Sequence, residues 1–97
     1  MIKTFADQGT EDLFNGINSL SARRTCPDKL RGVARRRLEL LDSVTLLDEL
    51  RIPPGNDLEA LKHDRRGQHS IRINEKYRIC FVWTKEGPFD VQIVDYH

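Results

Sequence analysis

The C-terminal part of this 97-residue chain consists of short runs in which apolar and polar residues alternate. Apolar side chains at every second position are typical of strands that bury one face of a sheet. The connections between the runs are short, as at Glu75-Lys76 and Thr84–Pro88, so consecutive strands should pair antiparallel. The pattern predicts a meander of four strands: Leu58–Lys62, His69–Asn74, Tyr77–Trp83 and Phe89–Tyr96.

The chain begins with a short alternating segment, residues 1–6, which predicts one more strand. Thr10 is predicted to cap the short helix that follows, because acidic residues occupy its first turn. Gly16 or Asn18 would end this helix, and residues 19–26 are predicted to form a polar loop. The apolar residues of the short helix are Leu13, Phe14 and Ile17.

The longest periodic segment opens at Pro27 and predicts an amphipathic helix. Its apolar residues recur at steps of three and four, which places them on one stripe. Ser43 either caps a second short helix that runs to Leu50 or lies inside a continuing one. The face of the long helix opposite this stripe is either a solvated surface or a ridge that contacts phosphates or a partner. The stripe comprises Leu30, Val33, Ala34, Leu38, Leu41 and Val44, and the opposite face carries Arg31, Arg35, Arg36 and Arg37.

The two halves of the chain together predict an α+β fold with two layers. The loop Arg51–Asn56 separates them, and neither half is long enough to form a convincing domain of its own. We therefore expect one domain over residues 1–97, with the N-terminal strand and two or three helices on one face of a mainly antiparallel sheet of about four to five strands. Arg72 and Arg78 would lie on the other face, open to solvent or ligand. The helices would cover Ile71, Ile73, Ile79, Phe81, Val91 and Ile93.

Charge is segregated along the chain, although the formal net charge is only +1. Residues 62–78 hold six basic and two acidic side chains, a local charge of +4. Residues 39–59 hold six acidic side chains and one basic one, a local charge of −5. The global charge gives no sign of a nucleic-acid binder, but its distribution predicts a surface with a basic and an acidic side.

Cysteine and histidine usage argues against several classes of protein. Cys26 and Cys80 lie far apart with no paired framework, which favours a reducing compartment over a secreted disulfide scaffold. The three histidines lack the spacing of metal ligands, so we expect no metal and no cofactor. We also expect neither a signal peptide nor a membrane span, which would require a run of about 20 apolar residues.

An acid, a phenol and an imidazole, Asp95-Tyr96-His97, end the last predicted strand. Imidazole titrates near neutral pH, so His97 could give or take a proton. Arg78 interrupts an apolar strand, where an arginine is either paired with a carboxylate or directed at an anion. Arg72, predicted on the same face, strengthens the second interpretation because a phosphate suits the planar fork of arginine. The triplet beside these cations suggests acid–base chemistry on a phosphodiester, whereas a generic charged surface would carry similar residues.

Four motifs occur in a fixed order along the chain. They are the Pro-Pro-Gly-Asn loop at Pro53–Asn56, the Gly-Gln-His-Ser-Ile-Arg segment at Gly67–Arg72, the Arg-Ile-Cys-Phe segment at Arg78–Phe81 and the Ile-Val-Asp-Tyr-His end at Ile93–His97. This ordered set, together with the opening Met1–Phe5, resembles the HigB branch of the RelE-like bacterial toxins and in particular its GraT-type members. The resemblance covers nearly the whole chain.

The resemblance implies a RelE-like fold and the toxin of a type II toxin–antitoxin pair in the bacterial cytoplasm. Such toxins enter the ribosomal A site and cut mRNA without a metal, through attack of the neighbouring 2′-hydroxyl, leaving a 2′,3′-cyclic phosphate and a 5′-hydroxyl. Lys62 and Arg78 would stabilise the phosphorane. Asp95, Tyr96 and His97 would handle the proton transfers, with the general base and general acid left open. The RNA or ribosome would be held by Arg65, Arg66, His69, Arg72 and Lys76.

The resemblance also implies the partners. These are a HigA-like helix-turn-helix antitoxin, the ribosome and mRNA, with operator DNA reached only through the antitoxin and no membrane. Two alternatives stay open: a non-enzymatic module that binds RNA, the ribosome or a protein, and a degenerate toxin that acts as a co-repressor with its antitoxin. A cleaved message from translating ribosomes would separate the enzyme from both.

Overall fold

Helices precede a four-stranded antiparallel sheet in the computed structural model, which describes residues 1–95. The strand order follows the chain, β1-β2-β3-β4, so the predicted meander and the two-layer α+β class are confirmed. Four 3₁₀ turns, at Asp28–Leu30, Leu47–Arg51, Pro54–Asn56 and His63–Arg65, link the elements. The described elements are α1 (Gln8–Phe14), α2 (Leu20–Thr25), α3 (Arg31–Ser43), β1 (Glu59–Ala60), β2 (His69–Arg72), β3 (Tyr77–Thr84) and β4 (Gly87–Asp95).

The core lies between one face of the sheet and the stripe of α3, as the two periodicities predicted. Large side chains from both layers are fully buried, and each such aliphatic residue stabilises the fold by about 1.5–3 kcal/mol. The sheet contributes Ile71, Ile73, Ile79, Phe81, Val91 and Ile93, and the helices contribute Leu13, Ala34, Leu38 and Leu41. None of the helices in residues 1–95 is long and apolar enough to span a membrane.

The N-cap of α1 is Asp7, and the prediction of Thr10 was wrong. The Asp7 carboxylate accepts a hydrogen bond of 2.7 Å from the Thr10 backbone N–H. Thr10 lies one turn into the helix and is fully buried. Its hydroxyl oxygen accepts the Ile93 N–H at 3.1 Å, so the side chain satisfies a donor at the outer edge of β4. Thr10 therefore joins the helical layer to the sheet.

Residues 19–26 form a helix rather than the predicted loop. Ser19 caps α2 by accepting the Ala22 N–H at 3.0 Å. The sequence missed this helix because Ala22 is its one buried residue, so no apolar stripe marked it. The preceding helix ends at Phe14, and Gly16 takes the left-handed φ of 75° that favours glycine after a helix. Ile17 lies beyond that end and is 52% exposed, so its predicted place in the helix was wrong.

The predicted N-terminal strand is reduced to one parallel bridge between Phe5 and Val91. The segment nevertheless covers the outer edge of β4. The Lys3 N–H donates to the Pro88 carbonyl at 2.8 Å, and the Val91 N–H donates to the Thr4 carbonyl at 3.1 Å. Pairing stops because the chain turns into α1 directly afterwards.

The strand boundaries differ from the predicted ones by at most two residues. Leu58 and Lys62 lie outside β1, which pairs through Glu59 and Ala60 alone. The next strand stops at Arg72 because the Asn74 carboxamide oxygen accepts two backbone N–H groups and forms a turn. A register shift lies between β3 and β4, where Asp90 has a left-handed φ of 54°. The predicted end of the last strand, Tyr96, lies outside the described residues.

Candidate functional site

The face of the sheet turned away from the core carries polar side chains in two rows. Residues that are paired directly across antiparallel strands lie on the same face. The pairing register therefore sets the rows as Ser70–Cys80–Gln92 and Arg72–Arg78–Val94. The two predicted arginines are thus brought together on adjacent strands, as the sequence indicated.

Arg78 lies at the centre of the second row and is nearly buried, with its side chain 9% exposed. Its Nε donates to the Ser70 hydroxyl at 2.7 Å. Its Nη1 donates to a carboxylate oxygen of Asp57 at 3.1 Å, and Nη2 donates to the Asp57 backbone carbonyl. Nη2 also forms an ion pair with Glu59 at 3.2 Å. Each nitrogen of the guanidinium therefore has an oxygen partner within the chain.

These contacts decide between the two interpretations that the sequence left open for Arg78. The arginine is paired with carboxylates, and both come from the segment that precedes β2. Asp57 and Glu59 are about half exposed, at 53% and 51%, so the pair is buried on the arginine side alone. An arginine held in this way has a fixed orientation, which is what recognition of a planar, bidentate anion requires.

A cleft of about 240 Å³ opens beside Arg78. Arg72 is exposed there, and its side chain forms no hydrogen bond or ion pair with any other residue in 1–95. Its guanidinium is consequently open to a ligand. The charge of the wall is nearly balanced, because three carboxylates accompany the two arginines. The lining consists of Asp57, Glu59, Arg72, Asn74, Glu75 and Arg78.

Lys62 lies in a second crevice, of about 320 Å³. The crevice is lined by Glu59, Ala60, Leu61, Lys62 and His63. Glu59 therefore belongs both to this crevice and to the cleft beside Arg78. Lys62 and Arg66 are exposed, and neither side chain has a hydrogen-bonded partner in the described part of the chain.

Arg65 covers the first row of the polar face. Its Nη1 donates to the Gln68 side chain at 3.0 Å, and its Nη2 donates to the Gln92 side chain at 3.4 Å. Burial raises the pKa of the neighbouring Cys80 thiol, while the guanidinium groups of Arg65 and Arg78 act in the opposite direction. The raised pKa keeps Cys80 a neutral thiol at neutral pH.

Asp95 ends β4 on the face opposite to that of the arginine row. It pairs in register with Tyr77, which is adjacent to Arg78 along β3 and so points to the other side of the sheet. There it lines a cavity with Gln8, Ser21 and Arg24 of the helical layer. The Lys76 ammonium lies 3.9 Å from the Asp95 carboxylate, and it also lies over the Tyr77 ring at 5.9 Å from the centroid. The remaining two predicted catalytic residues, Tyr96 and His97, lie outside the described residues.

His69 is not brought to this face, in contrast to its predicted place in the RNA-binding set. It pairs with Phe81, and the two rings stack with centroids 6.3 Å apart. Strand alternation puts His69 on the same side as Ile71 and the core. Its Nδ1 is buried with no hydrogen-bond partner among residues 1–95. The alternation that correctly placed Ile71 already implied this position.

Sequence reasoning missed the acidic partners of Arg78. Asp57 and Glu59 lie in the acidic segment of residues 39–59, and an arginine that interrupts an apolar strand needs either a carboxylate or an external anion. Those two observations were the available signal, but the pairing joins residues about twenty positions apart.

Within residues 1–95, no three histidine, cysteine, aspartate or glutamate side chains converge to hold a metal ion.

Comparison with known sequences assigns the family. The profile described as the RelE-like toxin of the type II toxin–antitoxin system HigB matches residues 3–97. The chain belongs to this HigB-like toxin family. The resemblance that the ordered motifs suggested is therefore confirmed, and the matched stretch includes every residue of the candidate site.

Two curated relatives share parts of the sequence. The Toxin HigB-1 of Vibrio cholerae serotype O1 is 42% identical over 61 residues, which are 63% of this chain and 64% of the relative. An uncharacterized protein of Haemophilus influenzae is 34% identical over 57 residues, which are 59% of this chain and 56% of the relative. These matches span less than two thirds of either relative's length.

A solved structure shares the fold of this HigB-like chain. A chain in the YoeB-YefM complex from Staphylococcus aureus superposes with a TM-score of 0.56 at 17% identity. The match covers 100% of this chain and 98% of that chain. At this level of identity the likeness concerns the fold alone. The predicted RelE-like two-layer architecture is thereby confirmed.

Proposed function

We propose that this HigB-like protein is a toxin that cuts mRNA on the ribosome, without a metal, and so inhibits translation and growth. The observation that carries the proposal is the row formed by Arg72 and Arg78, which lies beside a cleft and next to the end of β4. A phosphodiester placed there would meet two guanidinium groups at its non-bridging oxygens, and the residues proposed for proton transfer follow soon after Val94, the β4 partner of Arg78, along the chain.

The reaction that suits this site is an internal transfer. The ribose 2′-hydroxyl would attack the adjacent phosphorus while a base accepts its proton, and the 5′-oxygen would leave with a proton from an acid. Arg78 and Lys62 would stabilise the additional negative charge of the phosphorane. Tyr96 and His97 would carry the proton transfers. Asp95 is omitted from this set because its pairing with Tyr77 places it on the face opposite to Arg78. The products would be a 2′,3′-cyclic phosphate and a 5′-hydroxyl.

The cations around the cleft would position the RNA or the ribosome. Arg72 and Arg65 lie on the polar face of the sheet, and Arg66 and Lys76 lie in the turns between strands. Contacts from such cations to phosphates hold a strand without reading its sequence. His69 is omitted from this set because it stacks on Phe81 at the opposite face. The ribosome would supply the message already oriented, which lowers the affinity that the protein itself must provide.

We further propose a HigA-like helix-turn-helix antitoxin as the partner, with operator DNA bound only through it. Two findings support this: the family is that of type II toxin–antitoxin systems, and the structural relative was solved as a YoeB-YefM complex. The protein would then act in the bacterial cytoplasm, where its ribosomes are. Purification of the toxin with the product of an adjacent gene would test the partnership.

Cleavage on translating ribosomes is the decisive test. The 5′ ends of a message are mapped after wild type, Arg72→Ala and His97→Ala are each added to an active translation system. We expect new 5′ ends from wild type, and few from either variant. Arg36→Ala is the matched control, since it removes an exposed arginine from α3 and should cut as wild type does. An intact message with wild-type protein would contradict the proposal.

One competing function has a specific observation in its favour. Arg78 is already paired with carboxylates, which suits a module that binds RNA or a partner by occupancy and performs no chemistry. Such a module would protect the message and leave no new 5′ ends, while Arg72→Ala would still weaken its binding to ribosomes. A degenerate toxin that serves as co-repressor would bind its antitoxin without arresting growth.

A further inference from the structure

The guanidinium of Arg78 offers little open edge to a phosphate while its present neighbours remain in place. Its side chain is 9% exposed, and each of its nitrogens already has an oxygen partner. A phosphodiester that binds both Nη atoms must therefore displace one of the oxygens at Nη2. Which oxygen leaves determines both the affinity of the site and the geometry of the bound RNA.

Asp57 is fixed more firmly than Glu59. It contacts Arg78 through its carboxylate and also through its backbone carbonyl. The preceding residue, Asn56, is fully buried and donates hydrogen bonds to the Leu50 and Ile52 carbonyls. The backbone at Asp57 is thus anchored, and its carbonyl cannot move away from the arginine without opening the loop.

Glu59 is held by much less. It contacts Arg78 through one carboxylate oxygen at 3.2 Å, and its side chain is 51% exposed. It lies on β1, an edge strand of two residues that are both exposed. An exposed carboxylate on a rotatable side chain can leave for water at small cost, because a half-solvated ion pair contributes little.

We propose that Glu59 is an exchangeable counter-ion of Arg78, which the scissile phosphodiester of the RNA replaces when it binds. This inference rests on the proposed function and adds a mechanism that regulates anion binding at the same site. Without RNA, the carboxylate neutralises the arginine and disfavours stray anions. With the RNA held in place by other contacts, the phosphate takes over the exposed edge of the guanidinium, while Asp57 and Ser70 keep its orientation.

Glu75 provides a matched control for this exchange. It lines the same cleft and carries the same charge, but no ion pair joins it to Arg78 within residues 1–95. Removal of either carboxylate raises the net charge of the cleft by the same amount. The two substitutions therefore differ in whether a direct competitor for the guanidinium has been removed.

The test measures binding apart from cleavage. A short RNA oligonucleotide with 2′-O-methyl groups, which cannot be cut, is titrated with wild type, Glu59→Gln and Glu75→Gln by fluorescence anisotropy at two salt concentrations. We expect Glu59→Gln to bind about three- to fivefold more tightly, since a weak competing charge–charge contact is removed, and Glu75→Gln to stay within about twofold of wild type. Circular dichroism checks that each variant folds.

The outcomes separate this inference from the proposed function. Equal tightening by both variants would overturn the exchange, because general electrostatics would then explain it. Unchanged or weaker binding by Glu59→Gln, with cleavage on ribosomes lost, would also overturn it and would assign the Glu59 carboxylate to a proton transfer instead. Selective tightening in a protein that leaves messages intact would support the exchange while contradicting the nuclease.

Discussion

At the scale of single residues, the orientation of the Arg78 guanidinium depends on a small number of oxygen atoms. Ser70 is fully buried, and its hydroxyl accepts the Nε–H of Arg78 at 2.7 Å. The Asp57 and Glu59 carboxylates contact the two Nη atoms of Arg78 from the solvent side. The inner hydrogen bond orients the guanidinium, because a charged donor inside the protein has no water to replace a lost acceptor.

Ser70→Ala should therefore destabilise the protein through a single lost hydrogen bond. The variant leaves the Arg78 Nε–H buried without its acceptor, which costs about 1–3 kcal/mol. Urea unfolding at neutral pH measures this free energy. Ser21→Ala, at an exposed position of α2, is the control and should change the stability by no more than about 0.5 kcal/mol. Equal stability of the two variants would contradict the proposed role of Ser70.

At the scale of secondary-structure elements, α1 and α2 form a closely packed pair. A side chain at Gly9 would meet the Thr25 hydroxyl, and it would approach the Ser21 carbonyl to 2.6 Å. Asp12 joins the same two helices, since its carboxylate accepts hydrogen bonds of 2.7 Å from the Ser19 hydroxyl and 2.8 Å from the Gln8 amide. Contacts between α1 and α2 thus stabilise two helices that are each too short to be stable alone.

Gly9→Ala should separate this helix pair. The added methyl group would collide with the backbone of α2, and such overpacking costs about 1–3 kcal/mol. Gly32→Ala is the matched control within α3, because the nearest heavy atom to its added methyl is 3.6 Å away on the flexible Arg36 side chain. That change should be neutral or slightly stabilising, since alanine favours helix. Thermal unfolding compares the two, and equal midpoints would exclude a close contact at Gly9.

The Asp12 carboxylate should also make stability depend on pH. Hydrogen bonds from Ser19 and then from Gln8 lower its pKa in the folded protein. A lowered folded-state pKa means that the carboxylate stabilises the fold at neutral pH, and that this contribution is lost as the pH falls through the lowered value. Asp12→Asn should be less stable than wild type at pH 7, and the difference should shrink toward about pH 3.

Urea titrations at both pH values measure that difference. Glu11→Gln removes a carboxylate from the same helix, but no hydrogen bond to the Glu11 side chain occurs within residues 1–95, so it should show no comparable change. A difference between wild type and Asp12→Asn that stays constant between the two pH values would rule out the carboxylate as its source.

The elements that the sequence predicted are those with a buried periodic face. The strands around Ile71, Ile79 and Ile93 alternate clearly, and α3 carries a long stripe, so both layers and the core followed from local pattern. In contrast, α2 buries Ala22 alone and left no stripe to detect. The ion pairs of Arg78 depend on where a loop returns in space, which no local periodicity encodes.

At the scale of the whole molecule, the sheet has two edges that are protected in different ways. Open strand edges present unpaired N–H and C=O groups that can pair with another molecule. One edge, β1, has only two residues. The other edge, β4, is covered by the N-terminal segment, which contributes backbone hydrogen bonds at Pro88 and Val91, and by the Thr10 hydroxyl at Ile93.

Deletion of residues 1–5 should therefore both weaken the fold and expose β4. The deletion removes the bonds from Lys3 to Pro88 and from Val91 to Thr4, each contributing about 0.5–1.5 kcal/mol, together with the packing of Phe5 against Phe14. The freed groups should pair with a second molecule, so sedimentation should show self-association and thermal unfolding should show a lower midpoint. Thr4→Ala keeps every bond between backbone groups and loses only the contacts of its hydroxyl with Asp90, so it should remain as wild type in sedimentation. A monomeric deletion variant with an unchanged midpoint would show that the segment neither stabilises nor shields the edge.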